Sequence, residues 1–337
     1  MTEFTHRAGK VSSSARPFVS IVTPFYNTAE FLETAIRSVL AQSYENFEYI
    51  LADNCSTDGS AEIAHKYALQ DSRIRLFRHT EFIDQDPNYN RALRYISADS
   101  EYCKIVQADD WILPNCVSEM VALAEQSPAV SVVGCCYIAG DTLAGHGLPF
   151  DRSLFSGKEA CRTRLLKGGT YFGSPTCLLY RSSAVRRRDP FFRLGFVNTD
   201  TMTCFELLTD SDFGRVPQIL VYLRRGNPSV SGRLEAFEVH HFANLALIVR
   251  FGPQFLSPRE LEARRKTLEA QYATALARAL LSFKSREYWD FHTSVLASVG
   301  RTLPVFRITL SVIDLFLDKV LNPRRTIQNL VAGLRKG

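Results

Sequence analysis

Residues 19–60 read VSIVTPFYNTAEFLETAIRSVLAQSYENFEYILADNCSTDGS, and two kinds of apolar pattern alternate along them. Val19 to Thr23 is a short apolar run stopped by Pro24, the pattern of a buried strand. From Thr28 to Gln42 the residues Phe31, Leu32, Ala35, Ile36, Val39 and Leu40 recur at helical spacing. Thr28 is the expected N-cap, although Phe31 leaves the capping box without its acid. Phe47 to Ala52 is a second strand, and Ser56-Thr57-Asp58 then caps a helix reaching about Gln70. The same alternation continues outward from this stretch. Ile74 to Phe77 is a third strand, Asn88 to Ser97 a helix, and Tyr102 to Val106 a fourth strand running into Gln107-Ala108-Asp109-Asp110. Pro114 opens another helix and Ser131 to Ile138 forms another strand. Strands and helices at such short spacing predict βαβ units, an α/β fold with a mostly parallel, Rossmann-like sheet flanked by helices. Ligands of such sheets bind outside the carboxyl ends of the strands. That rule singles out Pro24 to Asn27, Asp53 to Asp58, and Gln107 to Asp110.

After Asp141 the pattern loosens. Gly140 to Pro149 reads as a surface loop, Cys177 to Tyr180 and Leu220 to Arg224 as strands, and Thr201 to Leu208 as a helix. From Ser231 the chain turns helical, and Ser257-Pro258-Arg259-Glu260 is a full capping box starting a helix that reaches about Phe283. The predicted organisation is a flexible segment 1–16, a catalytic domain 17–232 and a helical extension 233–337.

The 337 residues carry a formal net charge of +5 without a dense basic stripe, so no nucleic-acid partner is expected. The eight cysteines form no CxxC pair and have no zinc-ligand spacing, which reads as reduced, mostly buried thiols in a cytoplasmic protein. His240-His241 cannot share an ion if helical, because neighbours point about 100° apart, and core packing is expected for them. Met1 to Arg16 lacks the apolar core of a secretory signal, and no apolar run is long enough to span a bilayer. Val305 to Leu321 is apolar but broken by Arg307, Asp314, Asp318 and Lys319. It is expected to pack on the catalytic domain. The alternative is peripheral contact with the inner face of the plasma membrane, flanked by Arg301, Arg324, Arg325, Arg335 and Lys336.

Adjacent carboxylates at a strand end, as in Asp109-Asp110, repel each other, and a divalent cation relieves that repulsion. The competing reading makes Asp110 the cap of the helix near Pro114. Asp53 precedes Ser56 and Thr57, whose turn chemistry is ordinary, but lies too early to cap. A carboxylate there can accept a hydrogen bond from a uracil imide or a ribose hydroxyl. Thr23-Pro24-Phe25-Tyr26-Asn27 is the first strand-to-helix turn, and its backbone, with Thr23, Pro24 and Tyr26, can line a nucleotide pocket; a plain rigid turn is the alternative.

Four segments together carry a resemblance. SIVTPFYN with its helix ending AIRSVLAQSY, then FEYILADNCSTDGS, then NYNRALRYISADSEYCKIVQADDWILP, resemble the family 2 glycosyltransferases in order and spacing. The resemblance covers about Val19 to Ser231. It implies a GT-A fold and inverting transfer of a sugar from a nucleoside-diphosphate donor to a glycan or lipid-linked acceptor. By that resemblance Asp53 binds the base, and Asp110 with Asp109 holds Mn2+ or Mg2+ on the diphosphate. Register with Asp212-Phe213-Gly214-Arg215-Val216-Pro217 puts Asp200 at the general base, with capping of the Thr201 helix as the alternative. Tyr222-Leu223-Arg224-Arg225 and Ser229-Val230-Ser231 match the family's closing strand and loop. Arg224 or Arg225 suits a diphosphate, Ser174 the acceptor side, and Asn88, Asn90 and Arg91 the donor phosphates or sugar, with capping by Asn88 as the alternative. Two departures stand out: Asn54-Cys55 replaces the acid and glycine of the family's DDGS, and Gln107 stands where a further acid is usual. Near the base, Thr199 replaces the Glu that usually precedes it. A degenerate binding domain and a sugar-nucleotide pyrophosphorylase are the competing functions, although Pro24 to Asn27 lacks the Gly-rich basic loop the latter needs.

Overall fold

The computed structural model describes residues 16–226 and 236–321. Its first half is laid down as β1 (Val19–Phe25), α1 (Ala29–Leu40), β2 (Phe47–Asp53), α2 (Ser60–Gln70), β3 (Ile74–Arg78), α3 (Gln85–Leu93), β4 (Tyr102–Ile105), β5 (Trp111–Ile112), α4 (Cys116–Ala124) and β6 (Val130–Ala139). There follow β7 (Thr142–Ala144), β8 (Leu154–Ser156), α5 (Gly157–Lys167), β9 (Leu178–Arg181), α6 (Ser182–Arg186), α7 (Thr199–Leu207) and β10 (Asp212–Leu223). Four helices close the described chain: α8 (Val239–Phe255), α9 (Pro258–Leu281), α10 (Arg286–Ser298) and α11 (Val305–Leu321). The expected boundary at 232/233 and the closing loop Ser229 to Ser231 lie outside the described residues.

The sheet runs β3-β2-β1-β4-β9-β6-β10-β5, with β7 on β6 and β8 on β10. β1 pairs in parallel with β2 and β4, and β6 in parallel with β10. β9 is wedged antiparallel between β4 and β6. The sheet therefore keeps β1, β2, β4, β6 and β10 pointing one way, and their carboxyl ends share one edge.

Pro24 does not stop β1, which continues to Phe25. Val22 accepts from Val106 N on the β4 side, and Phe25 accepts from Asn54 N on the β2 side. Pro24 alternates with Phe25 and so points toward the β4 side. There β4 has already ended, so no partner misses its N–H.

Both faces of the sheet are covered. Leu32, Ile36 and Val39 of α1, with Val117, Met120 and Val121 of α4, fill one side. Ala92 and Leu93 of α3, Leu165 of α5, Phe205 of α7 and much of α8 and α9 fill the other. Each fully buried Leu, Ile or Phe contributes roughly 1.5–3 kcal/mol. The capping box forms as read: Ser257 accepts from Glu260 N, and Ser257 N donates to the Glu260 carboxylate.

Helix starts depart from the reading in three places. Thr28 makes no side-chain cap bond to α1. Instead Asp58 accepts from Ala29 N at 2.9 Å and Ser60 Oγ from Thr28 N at 2.8 Å, so the second crossover caps the first helix. α2 starts at Ser60 after Gly59, whose φ of 94° supplies a turn that other residues resist. α3 starts at Gln85, so Asn88 lies inside it and cannot be its cap. Most cysteines are buried as expected, and all eight are unpaired. His240 corrects an expectation, because it stands exposed rather than in the core, its ring 4.0 Å from that of His241.

Candidate active site

Asp53 ends β2 and is 1% exposed. Its Oδ1 accepts the Ser56 N–H at 2.9 Å, and Arg78 Nε stands 3.6 Å from Oδ2. Beside it, Asn54 donates to the Ile83 carbonyl and accepts from Ile83 N and Arg91 Nη2. An aspartate there could not donate to Ile83, so the missing second acid is a loop tie. Cys55 occupies the place of the missing glycine and keeps a φ of 69°, a left-handed conformation that glycine adopts freely. His79 and Arg91 face this corner, each with a buried nitrogen (Nε2 and Nε) that has no hydrogen-bond partner among the described residues. Burial and then the Arg91 charge hold the His79 imidazole below its ordinary pKa.

In the first turn the residues separate. Thr23 is fully buried with its hydroxyl on Tyr49 OH at 2.9 Å, and Pro24 is buried too, which withdraws both side chains from a pocket wall. Tyr26 is exposed and packs on exposed Phe82 with ring centroids 4.5 Å apart. Asn90 is also withdrawn. Its amide spends both ends on Phe192, accepting from its N–H and donating to its carbonyl, each at 2.8 Å. Asn88 is 4% exposed and accepts from Arg91 Nη2 at 3.2 Å.

Asp110 is 4% exposed. Its Oδ2 accepts from the Thr176 hydroxyl at 2.6 Å and its Oδ1 from Arg224 N at 3.1 Å. Burial, then the charge of Asp109 beside it, pushes its carboxyl up to about 7 against the pull of these bonds. The capping alternative fails, because α4 starts at Cys116 and its N-cap is Asn115. Arg224 lies between the Phe31 and Trp111 rings, at 4.4 and 5.5 Å, and donates through Nε to the Asp109 carbonyl at 3.2 Å. It clamps the acidic turn. Arg225 is exposed, and its charge reaches Asp110.

Thr176 is the hub behind the acids. It accepts from Gln107 N at 3.1 Å, and its carbonyl accepts from Lys104 Nζ at 2.6 Å, with Lys104 fully buried. Gln107, in the place of a family acid, donates to Tyr89 OH at 3.1 Å. Ser174 is half-buried nearby, 3.9 Å from Cys177 Sγ.

Two crowded carboxylates suit a hard divalent cation, which would offset both the burial and the Asp109 repulsion that raise the Asp110 carboxyl. Among the described residues no cluster of three or more His, Cys, Asp and Glu exists. Most of the cation's shell would then be phosphate and water, the habit of magnesium-type sites.

Asp200 lies in the first turn of α7, after the N-cap Asn198 at φ 56°. It accepts from Thr201 N at 2.7 Å, so it does serve the helix start. Burial of its carboxyl pushes it up to about 6, with Asp86 adding and Arg164 opposing. Asp86, from the first turn of α3, is itself raised by burial and hydrogen-bonded by Thr199. Tyr137 stands in the fields of both Arg225 and Asp200, and Tyr89 in those of Asp109, Asp110 and Asp86. Asp86 and the Asp109-Asp110 turn thus both act on Tyr89, and Asp86 acts on Asp200.

The sequence model for glycosyl transferase family 2 matches residues 20–188, half of the chain. The chain belongs to glycosyl transferase family 2. It is 30% identical over 179 residues to the putative teichuronic acid biosynthesis glycosyltransferase TuaG of Bacillus subtilis, covering 53% of this chain and 68% of that one. It spans less than half the length of other bacterial glycosyltransferases it matches. Staphylococcus aureus TarS residues 1–349, solved with UDP-GlcNAc, is similar in fold, with a TM-score of 0.59 at 16% identity over 88% of each chain. A mannosyltransferase of Pyrobaculum calidifontis, solved with GDP-Man and Mn2+, matches at a TM-score of 0.50 and 18% identity, over 88% of this chain and 87% of that one.

This glycosyltransferase therefore has the GT-A fold with helices appended. Of the candidate site residues, Asp86 and His79 are not singled out by the sequence, and Thr176 enters only within the segment Gly173 to Thr176, which resembles a family segment facing the acceptor. Asp86 sits in a polar stretch with no motif. Thr176 lies some 66 residues from the carboxylate it bonds. His79 simply follows β3. The rule that strand ends line the site would reach His79 if applied to β3 as well.

Proposed function

We propose that this enzyme transfers a sugar, with inversion, from a UDP-sugar to a glycan or lipid-linked acceptor of a bacterial surface polysaccharide. The observation that carries the reading is the buried acidic turn, where Asp110 beside Asp109 is held by the Thr176 hydroxyl and Arg224 N. Crowded carboxylates suit a divalent cation, and a base working near neutrality needs a raised carboxyl such as that of Asp200. The name of TuaG supports a polysaccharide product, and the UDP-GlcNAc complex of TarS supports a uridine donor.

In this reading Asp53 accepts the uracil imide N–H, with Tyr26 and Phe82 beside the base. Asp109 and Asp110 would hold Mn2+ or Mg2+, which would supply positive charge against the leaving diphosphate. Arg225 adds positive charge at the same place, while Arg224 keeps the acidic turn in position. Asp200 takes the proton of the acceptor hydroxyl as that oxygen attacks the anomeric carbon opposite the diphosphate. The degenerate-domain and pyrophosphorylase readings are not favoured, since Asn54 and Gln107 hold structural ties where acids were missed. The unpaired cysteines support a reducing, cytoplasmic setting.

Asp53→Ala is expected to raise the donor KM about 10- to 100-fold, the loss of one charge-assisted hydrogen bond, with kcat within about threefold. In wild type a thermal-shift series should respond to UDP and not to GDP. Equal stabilisation by both would remove Asp53 from base recognition. Thr176→Val keeps the side-chain shape but drops the hydroxyl on Asp110. Loss of such a supporting contact typically weakens metal binding about tenfold or more. Titration of Mn2+ in the presence of UDP checks it, and unchanged affinity would make Thr176 merely structural.

A further inference from the structure

α11 has two apolar sides. Ile308 is 7% exposed and packs inward with Val312 and Leu315. The opposite side is bare: Phe306 is 76% exposed, Leu310 45%, Ile313 48%, Leu317 46% and Leu321 73%. At 100° per residue these five fall within an arc of about 80°. Arg307, Asp314 and Asp318 border that arc.

At the start of α11 lies a cavity of about 450 Å3 lined by Arg265, Arg301, Thr302, Arg307 and Glu269. Glu269 is 8% exposed and receives all three guanidiniums, at 2.8, 2.6 and 2.7 Å from Arg265, Arg301 and Arg307. Arg265 is also held by Glu262 at 2.6 Å. Three guanidiniums thus face two carboxylates, and Arg301 and Arg307 each show one nitrogen bonded to a carboxylate among the described residues. The cavity keeps an uncompensated positive charge beside the first N–H groups of a helix, where anions are stabilised. The sequence after α11, NPRRTIQNLVAGLRKG, carries four basic residues and no acid.

We propose that this pocket and the bare side of α11 form a site for an anionic phospholipid surface. A lipid phosphate sits between Arg301, Arg307 and Arg265, and Phe306, Leu310, Ile313 and Leu317 enter the acyl boundary. Charge selects this occupant over a second copy of the chain, which would bring the same positive pocket to the contact. The inference is independent of the donor site, and its test does not read activity.

The test is flotation of the full chain with vesicles of phosphatidylglycerol or of phosphatidylcholine in about 50 mM salt. Each interfacial arginine adds about fivefold to binding of an anionic surface. Binding to phosphatidylglycerol alone is expected, at least tenfold weaker for Arg301→Gln/Arg307→Gln and for Leu310→Ser/Leu317→Ser, and weakened in about 500 mM salt. Inorganic phosphate at a few millimolar should compete only slightly; full competition would make the pocket a free-phosphate site and overturn the lipid assignment. The serine pair alters exposed side chains only, so it decides the matter if the arginine pair fails to fold. No binding to phosphatidylglycerol, or wild-type binding by the serine pair, overturns the proposal. So does a dimer in light scattering that the serine pair abolishes.

Discussion

Asp200→Asn lowers kcat about a thousandfold or more and leaves UDP affinity within about threefold of wild type, because a positioned base contributes roughly 10²- to 10⁴-fold and does not touch the nucleotide. The substitution keeps the size of the side chain and its acceptor for Thr201 N, so the start of α7 survives. The pH profile is a separate readout. The Asp200 carboxyl is pushed up to about 6, chiefly by burial. A base must be unprotonated to act, so kcat/KM should fall about tenfold per pH unit below that value and level off above it. Asp86 adds to the upward push. Asp86→Asn should therefore move the acid limb of the profile to lower pH while preserving its plateau. Full activity in Asp200→Asn would remove this residue from the mechanism, and an unmoved limb in Asp86→Asn would uncouple the pair.

Asp110→Asn removes Mn2+ binding and reduces kcat at least a hundredfold, since leaving-group charge is then met by arginine alone. It should also change stability in a direction opposite to most active-site losses. The folded Asp110 carboxyl is pushed up to about 7, whereas an unfolded aspartate titrates near 3.9. Between those values the folded protein holds a proton that the unfolded chain has released. Metal-free stability therefore falls as pH rises from about 4 to 7, and the full cost remains above 7. The asparagine variant lacks this cost, with its oxygen toward Arg224 N and its amide toward Thr176. Melting temperature between pH 5 and 8 checks it. Wild type should decline and the variant stay flatter, and Mn2+ should raise the wild-type value at pH 8 without affecting the variant. A variant less stable than metal-free wild type at pH 8 would contradict this account of the acidic turn.

The parts of the fold legible in the sequence are those where local pattern and final burial agree. The strands β1, β2, β3, β4 and β6 are apolar runs closed by turn residues, and the capping box at Ser257 is local by construction. What was not legible depends on partners distant in sequence. β10 extends back to Asp212 through Gly214 and Pro217, well before the expected start at Leu220, because β6 and β8 pair with that stretch. The cap of α1 is supplied by Asp58, some 29 residues on. Register nominates Asp53, Asp109, Asp110 and Asp200. It also nominates Asn90, whose amide the Phe192 backbone claims instead. An asparagine on a helix looks alike in sequence whether it faces a ligand or a neighbouring chain segment. Thr176 shows the same limit, since its hydroxyl matters only because Asp110 folds against it.

The central claim is that the acids at the carboxyl edge of the sheet form one metal-assisted nucleotide-sugar site. Calorimetric titration of UDP into the full chain with Mn2+ tests it most directly. One UDP should bind per chain, weakly once Mn2+ is chelated, weakly in Asp53→Ala and Asp110→Asn, and normally in Asp200→Asn. UDP binding unaffected by chelation and by both of the first two substitutions would contradict it.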